Sequence, residues 1–254
     1  MDPWIAATAE EIAARAPAEL ERFVAISSPS GDVPGADAAI ALALELVPDG
    51  ARVERPACSS ADHADDLVVT LSGSGSGRVV LLGHVDTVHA HDEHRAFERT
   101  DDGRLLGSGT VDMKGGDVLA LGVLRALARR ADAYAEVALL LVCDEEWRAG
   151  DFAHVKRFAG YDACLCFEGG ELTADGEEAV VVRRKAAGTL RVLAHGRSAH
   201  SGSAPEKGAN ALLALASAAQ SVAALHDPRG PAHLTSVPTV VRSGDAFNVV
   251  PAAG

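Results

Sequence analysis

Apolar and polar positions follow two different rhythms along this chain. Near the N-terminus, Ile5, Ile12, Leu20, Phe23 and Val24 recur at helical spacing among Glu10, Glu11, Glu19 and Glu21, which predicts a helix over residues 4–26. Pro17 is expected to break that helix in two, because its ring nitrogen cannot donate to the preceding turn. An alanine-rich helix is predicted over residues 36–47, closed by Pro48-Asp49-Gly50. Leu67–Leu71 reads as a strand rich in β-branched residues. Val79–Gly83, Val137–Cys143 and Ala163–Phe167 are nearly continuous apolar runs, as in strands buried on both faces of a sheet. Between the first two of these lies a helical pattern over residues 116–130, with Val118, Leu121, Leu124 and Leu127 on one face. Strand, helix, strand implies a parallel crossover and an α/β sheet. The glycine-serine tract Ser72–Gly77 leads into a strand and not into a helix, so it reads as a flexible hairpin connection and not as a phosphate loop.

After Gly176 the rhythm changes. Strands are predicted over residues 179–182, 189–194 and 236–241, with a helix over residues 208–225. This unalternating order is that of an α+β unit, and it places a domain boundary near residue 178, giving domains 1–178 and 179–254.

Composition narrows the partners. Hydrophobic residues at 48% and charged residues at 23% are those of a globular protein. A net charge of −13 argues against nucleic acid or an anionic membrane as partner. The N-terminus shows no signal peptide and no apolar run reaches the length of a membrane span. Cys58, Cys143, Cys164 and Cys166 form no CxxC pair and read as free buried thiols, which makes the cytoplasm the expected compartment.

Each of the three apolar strands stops on side chains able to bind metal: His84 and Asp86, then Asp144-Glu145-Glu146, then Glu168. In open α/β sheets, sites form beyond such strand ends. His84 and Asp86 are two apart and share a face, so the carboxylate can orient the imidazole. By itself that pair fits a satisfied structural histidine equally well. Asp112, between Gly107-Ser108-Gly109 and Lys114-Gly115-Gly116, reads by itself as a helix cap. Adjacent Glu145 and Glu146 point apart, so one can bind metal while the other moves a proton. Oxygen and nitrogen donors without thiolate suit zinc, with cobalt or manganese as alternatives. His89, His91 and His94 read as an exposed loop, and His154, His195, His226 and His233 as structural.

These motifs occur in order with Gly196-Arg197-Ser198-Ala199-His200-Ser201-Gly202, Pro205, Gly208, Asn210 and Ala211. Together they resemble the dinuclear zinc amidohydrolases that include carboxypeptidase G, acetylornithine deacetylase and succinyl-diaminopimelate desuccinylase. The resemblance implies a mostly parallel catalytic sheet flanked by helices, with an inserted α+β lid and dimerisation domain. It implies two zinc ions: Asp112 bridging both, His84 and Glu168 on one, and Glu146 on the other. Asp86 would orient His84, and Glu145 would be the general base. His200 would stabilise the oxyanion in the partner's site of a homodimer, and Asn248 would lie near the substrate. The implied reaction is hydrolysis of an amide bond in an N-acyl amino acid or small peptide, by water that zinc activates and Glu145 deprotonates. A deacylase or desuccinylase of a non-peptide acyl group, and an inactive binding or dimerisation module, are the alternatives. The family pattern continues beyond Gly254 to a further metal-binding histidine and a carboxylate-binding arginine, so the lid is expected to be incomplete and the second metal short of a ligand. Trp147-Arg148-Ala149 departs from the small residues usual after the glutamate pair.

Overall fold

The computed structural model describes residues 2–148, 150–182 and 187–254. The chain divides into two compact units, Met1–Val182 and Arg183–Gly254.

In the first unit, helix α1 spans Pro3–Val24, with Asp2 accepting the Trp4 amide at its start. Pro17 lies inside it and does not break it. Ion pairs of Arg129 with Glu11 and of Arg125 with Glu19 grip the helix on either side of the proline, so tertiary contacts offset one lost backbone bond. Helix α2, Val33–Glu45, begins three residues before its predicted start, because Asp32 accepts the Gly35 amide and Pro34 fits the first turn.

Strands β1 (Arg52–Glu54), β2 (Leu67–Ser72) and β3 (Arg78–His84) precede a small hairpin of β4 (Glu98–Arg99) and β5 (Leu105–Leu106). Helix α3 (Lys114–Leu127), β6 (Glu136–Val142) and β7 (Ala163–Cys166) complete the main elements, and β8 (Glu171–Leu172) pairs with β9 (Glu178–Ala179). The main sheet has the order β1-β2-β6-β3-β7. It is mixed: β6, β3 and β7 run parallel, while β1 and β2 add antiparallel along the other edge. Register places His84 beside Val142 and Leu82 beside Cys166, so the three parallel strands end side by side.

One sheet face packs on the helices through Phe23, Val24, Ile40, Leu67, Leu81, Leu121, Leu139 and Leu141, all buried. Burying each such side chain contributes roughly 1.5–3 kcal/mol. The opposite face carries a smaller cluster, Val68, Val80, Ala138, Leu140 and Val142, against partly buried Phe152, Phe158 and Tyr161.

Three expectations are corrected here. Strand β7 is exposed along its length and, among the described residues, stands at the sheet edge with β3 as its one neighbour. Cys164 and Cys166 are therefore exposed, although all four cysteines are free as expected. The glycine-serine tract is no hairpin, since β6 lies between β2 and β3. Instead it crosses the entry to β6 and is held there, the Gly73, Ser74 and Gly75 amides donating to Ala135, Ala131 and Tyr134. A Cβ at Gly73 would lie 2.2 Å from the Tyr134 carbonyl oxygen, so the close approach requires glycine.

In the second unit, α4 spans Ala211–Ala223 and Asn210 caps it by accepting the Leu213 amide. Residues 189–194 and 236–241 do not form the predicted strands, and of the run predicted at 179–182 only Ala179 is in a strand. Pro238 removes a ladder donor from one of them, and Leu190, Leu193, Val237 and Val240 stand exposed with no sheet to bury them. The pairing that does occur among the described residues is in isolated bridges, His195 with Ala253, Arg197 with Ala209, His200 with Val249 and Asp227 with Leu234. Among the described residues, no helix is long and apolar enough to cross a membrane.

Candidate metal centre

The carboxyl ends of β3 and β7 and the segment before α3 converge on one cluster. His84, the last residue of β3, is buried, and its Nε2 lies 3.0 Å from Asp112 Oδ1 and 3.5 Å from Glu168 Oε1. Asp112 precedes α3 and is exposed; Met113, not Asp112, stands at the cap position, so the aspartate is free to face the histidine. Glu168 follows β7 by two residues. One nitrogen and two oxygen donors from three segments, all within 4.8 Å of one another, form a donor set that fits a zinc-type ion.

The ring is oriented from behind. His84 Nδ1 is 3.0 Å from the Asp86 carbonyl oxygen and 3.2 Å from its carboxylate. Burial lowers the imidazole's pKa, but hydrogen bonds to Asp86 and Glu168 and the charges of Asp117 and Asp86 outweigh it and push the ring up to about 12. Burial acts upward on Asp86, yet the bonds and charge of His84 and the Glu146 amide hold it below the ordinary carboxylate range. The Asp86 carboxylate also accepts the amides of Glu145 and Glu146, each at 3.1 Å. One buried side chain thus holds both the histidine and the glutamate turn.

Glu145 is exposed and Glu146 half-buried. Partial burial raises both acids; the Glu168 charge adds to Glu145, and that of Asp112 helps lift Glu146 to about 7. The Glu146 carboxylate stands outside the three-donor cluster. Trp147 is exposed, Arg148 stacks on the Phe152 ring at 4.6 Å, and Ala149 lies outside the described residues.

In the second unit, Ser201 N donates to the Asn248 carbonyl and Val250 N to that of Ala199, which brings the exposed His200 and Asn248 to one place. His200 Nδ1 accepts the Gly202 and Ser203 amides at 3.1 and 3.2 Å, so the ring proton belongs on Nε2, pointing away as a donor.

His89 and His91 are exposed, His91 against Ser27, and His94 bonds the Val24 carbonyl at 2.8 Å. A cluster not anticipated from the sequence lies behind the glutamate turn, where Cys58, Asp66 and Asp144 approach within 4.8 Å. Its carboxylates are already engaged: Asp144 accepts the Ser60 amide and hydroxyl at 2.9 and 2.7 Å, and Asp66 takes the Cys143 amide and His154 Nε2, both at 2.8 Å. Burial and the Asp144 carboxylate push the Cys58 thiol up to about 12, so this cluster is hydrogen-bonded structure. The one signal of it in the sequence is that Asp144 continues an apolar run directly.

A family model described as peptidase family M20/M25/M40 matches residues 80–243. Carboxypeptidase G2 of Pseudomonas sp. (strain RS-16) is 28% identical over 243 residues, covering 92% of this chain and 56% of that protein. A succinyl-diaminopimelate desuccinylase of Afipia carboxidovorans is 33% identical over 217 residues, covering 76% of this chain and 54% of its own length. The chain thus spans a little over half the length of these curated relatives. The fold is similar to that of an aminobenzoyl-glutamate utilization protein from Klebsiella pneumoniae, with a TM-score of 0.57 at 17% identity, over 96% of this chain and 66% of that one. A tripeptidase from Staphylococcus aureus gives a TM-score of 0.55 at 19% identity, over 94% and 63% of the two chains.

Proposed function

The chain belongs to the peptidase family M20/M25/M40, and from that premise we propose that it carries the metal-binding part of a zinc-dependent amide hydrolase. The observation that carries this is the convergence of His84 Nε2, Asp112 and Glu168 at the carboxyl end of the parallel strands, with the Glu145 amide held by the same Asp86 carboxylate that orients His84. His84, Asp112 and Glu168 would hold one ion; Asp112 and Glu146 would contribute to a second. When bound, zinc supplies a Lewis acid that makes water nucleophilic at neutral pH and polarises a carbonyl. Glu145 is the general base: its raised pKa suits taking a proton from water and giving it to the leaving amine. Asp86 keeps the His84 ring aimed at the site through Nδ1. His200, with its proton on Nε2, is a donor for a developing oxyanion, and Asn248 contacts the substrate beside it. The substrate class is an N-acyl amino acid or small peptide, matching what the relatives' names describe. A homodimer through the second unit, with His200 serving the other copy, fits the exposed Leu212 and Leu213 of α4; a monomeric mass in light scattering rejects it.

The decisive experiment compares the zinc-loaded chain with Glu145→Gln on a panel of N-acyl amino acids and dipeptides. The variant should bind zinc as the parent does and hydrolyse at least a hundredfold more slowly. Unimpaired hydrolysis rejects Glu145 as the base. One observation favours a second reading, a non-catalytic metal-binding module: Glu146 lies outside the three-donor cluster, leaving the second ion two protein ligands among the described residues, where catalytic zinc sites have three. One bound zinc and no turnover on any substrate select that reading.

A further inference from the structure

We propose that Asp66, braced by His154, is a positioning residue for the Glu145–Glu146 turn; this rests on the reading of that turn as part of a metal-dependent site. Strand β6 stops at Val142, and the backbone that follows has left the sheet ladder. Three of the next four amides donate instead to buried carboxylates. Cys143 N–H goes to Asp66 Oδ1 at 2.8 Å, and the Glu145 and Glu146 amides go to the two oxygens of Asp86. Asp86 grips the turn from the His84 side, whereas Asp66 grips it from behind, out of reach of substrate.

Asp66 is itself fixed. It is fully buried, its amide donates to the Pro56 carbonyl, and Arg55 Nε donates to the Asp66 carbonyl. Its second oxygen takes His154 Nε2 at 2.8 Å, and the Phe152 ring meets that imidazole edge-on with centroids 5.5 Å apart. The same loop adds Ser60, which holds Asp144, and Ser59 Oγ, which accepts the Ala153 amide. Cys143 and Asp144 before the glutamates and His154 beyond them are therefore clamped to Ser60 and Asp66 by buried polar bonds, which hold one geometry because breaking any of these strands a buried group, while Ala153 adds one exposed bond to Ser59. The His84–Asp112–Glu168 cluster draws on none of these bonds. Asp66 should therefore govern the glutamate turn and leave that cluster alone.

Two measurements on the full chain test this. Hydrogen exchange of the metal-free protein should show Asp66→Ala accelerating amides 143–146 about tenfold, with residues 79–85 and 136–141 still protected. Asp66→Asn, which keeps an oxygen for the Cys143 amide and offers an N–H to His154, should restore protection. Zinc titration against a chromophoric chelator should show Asp66→Ala weakening the Glu146-dependent equivalent 10–100-fold while the His84-dependent one stays within about threefold. His84→Ala and Glu146→Ala assign the two equivalents. Unchanged exchange at 143–146, equal loss of both zinc equivalents, or identical behaviour of the Ala and Asn variants overturns the proposal. A parent chain that takes up no zinc, or only the His84-dependent equivalent, with the exchange pattern as expected, overturns the reading of the turn as a metal site and leaves the positioning role supported. Should Asp66→Ala fail to fold, His154→Phe is read the same way, with about a threefold change in exchange expected and none overturning the proposal.

Discussion

The glutamate turn after β6 and the His200–Asn248 pair are both proposed to meet the same substrate, yet they are held in opposite ways. The turn sits on buried carboxylates: Asp86 and Asp66 accept its amides and Asp144 ties it to Ser60. His200 and Asn248 are joined by a few backbone bonds between exposed segments. Buried polar bonds cannot be exchanged for water, so breaking one costs about 1–3 kcal/mol; an exposed bond is replaced by solvent at little cost. The contrast separates a preorganised turn, proposed to bind metal, from a segment proposed to contact substrate that is weakly held within its own unit.

The largest effect should come from the core beneath the turn. Leu140→Ala, at a site 1% exposed, should lower stability by about 2–5 kcal/mol in urea unfolding. Leu193→Ala, 66% exposed in the second unit, should change it by less than about 0.5 kcal/mol. A matching loss at Leu193 would break the comparison. Next comes zinc: at a hundredfold excess over its Kd it should stabilise the first unit by about 2.7 kcal/mol, seen as a raised Tm. His84→Ala should abolish that rise, and His200→Ala should leave it intact.

A smaller effect tests an exception within the first unit. Asp117, on α3, is fully buried, and neither of its carboxylate oxygens has a hydrogen-bond partner. Burial pushes its pKa well above the ordinary value, against the opposing charges of His84 and Lys114. The folded chain therefore holds a proton that the unfolded chain releases above pH about 4, so stability falls as pH rises from there toward the folded pKa. Asp117→Asn should stabilise by on the order of 1 kcal/mol at neutral pH, with the gain shrinking toward pH 4 in urea titrations. A gain independent of pH would reject the argument. The smallest effect is local: amides of residues 189–194 should exchange within seconds while those of β6 resist for hours, and equal protection would show that the second unit is held as the first is.

Much of the site was legible because its signals are local. An apolar run ending on a histidine or carboxylate is written in consecutive residues, and two such runs, ending near His84 and Glu168, lead with Asp112 to donors that the fold brings within 4.8 Å of one another, while Glu146 stays outside. His154 reads as structural and is so, but its partner, Asp66, is 88 residues away and so is not legible in the sequence. Asp144 follows its apolar run as a strand-end acid able to bind metal, but its partners Ser60, 84 residues away, and Arg148 hold it in the interior as structure. The runs at 189–194 and 236–241 were misread for the converse reason: strand propensity is local, but a strand needs a neighbour.

Sequence by itself determined the α/β class, the helices, the parallel strands and the identity of the acids and histidine at their ends, because periodicity and strand-end chemistry are written in consecutive residues. Tertiary structure decided the antiparallel edge of the sheet, the exposure of β7, the continuity of α1 through Pro17 and the carboxylate clamp around the glutamate turn. Each of those depends on which distant groups end up without water, and burial is a property of the assembled fold.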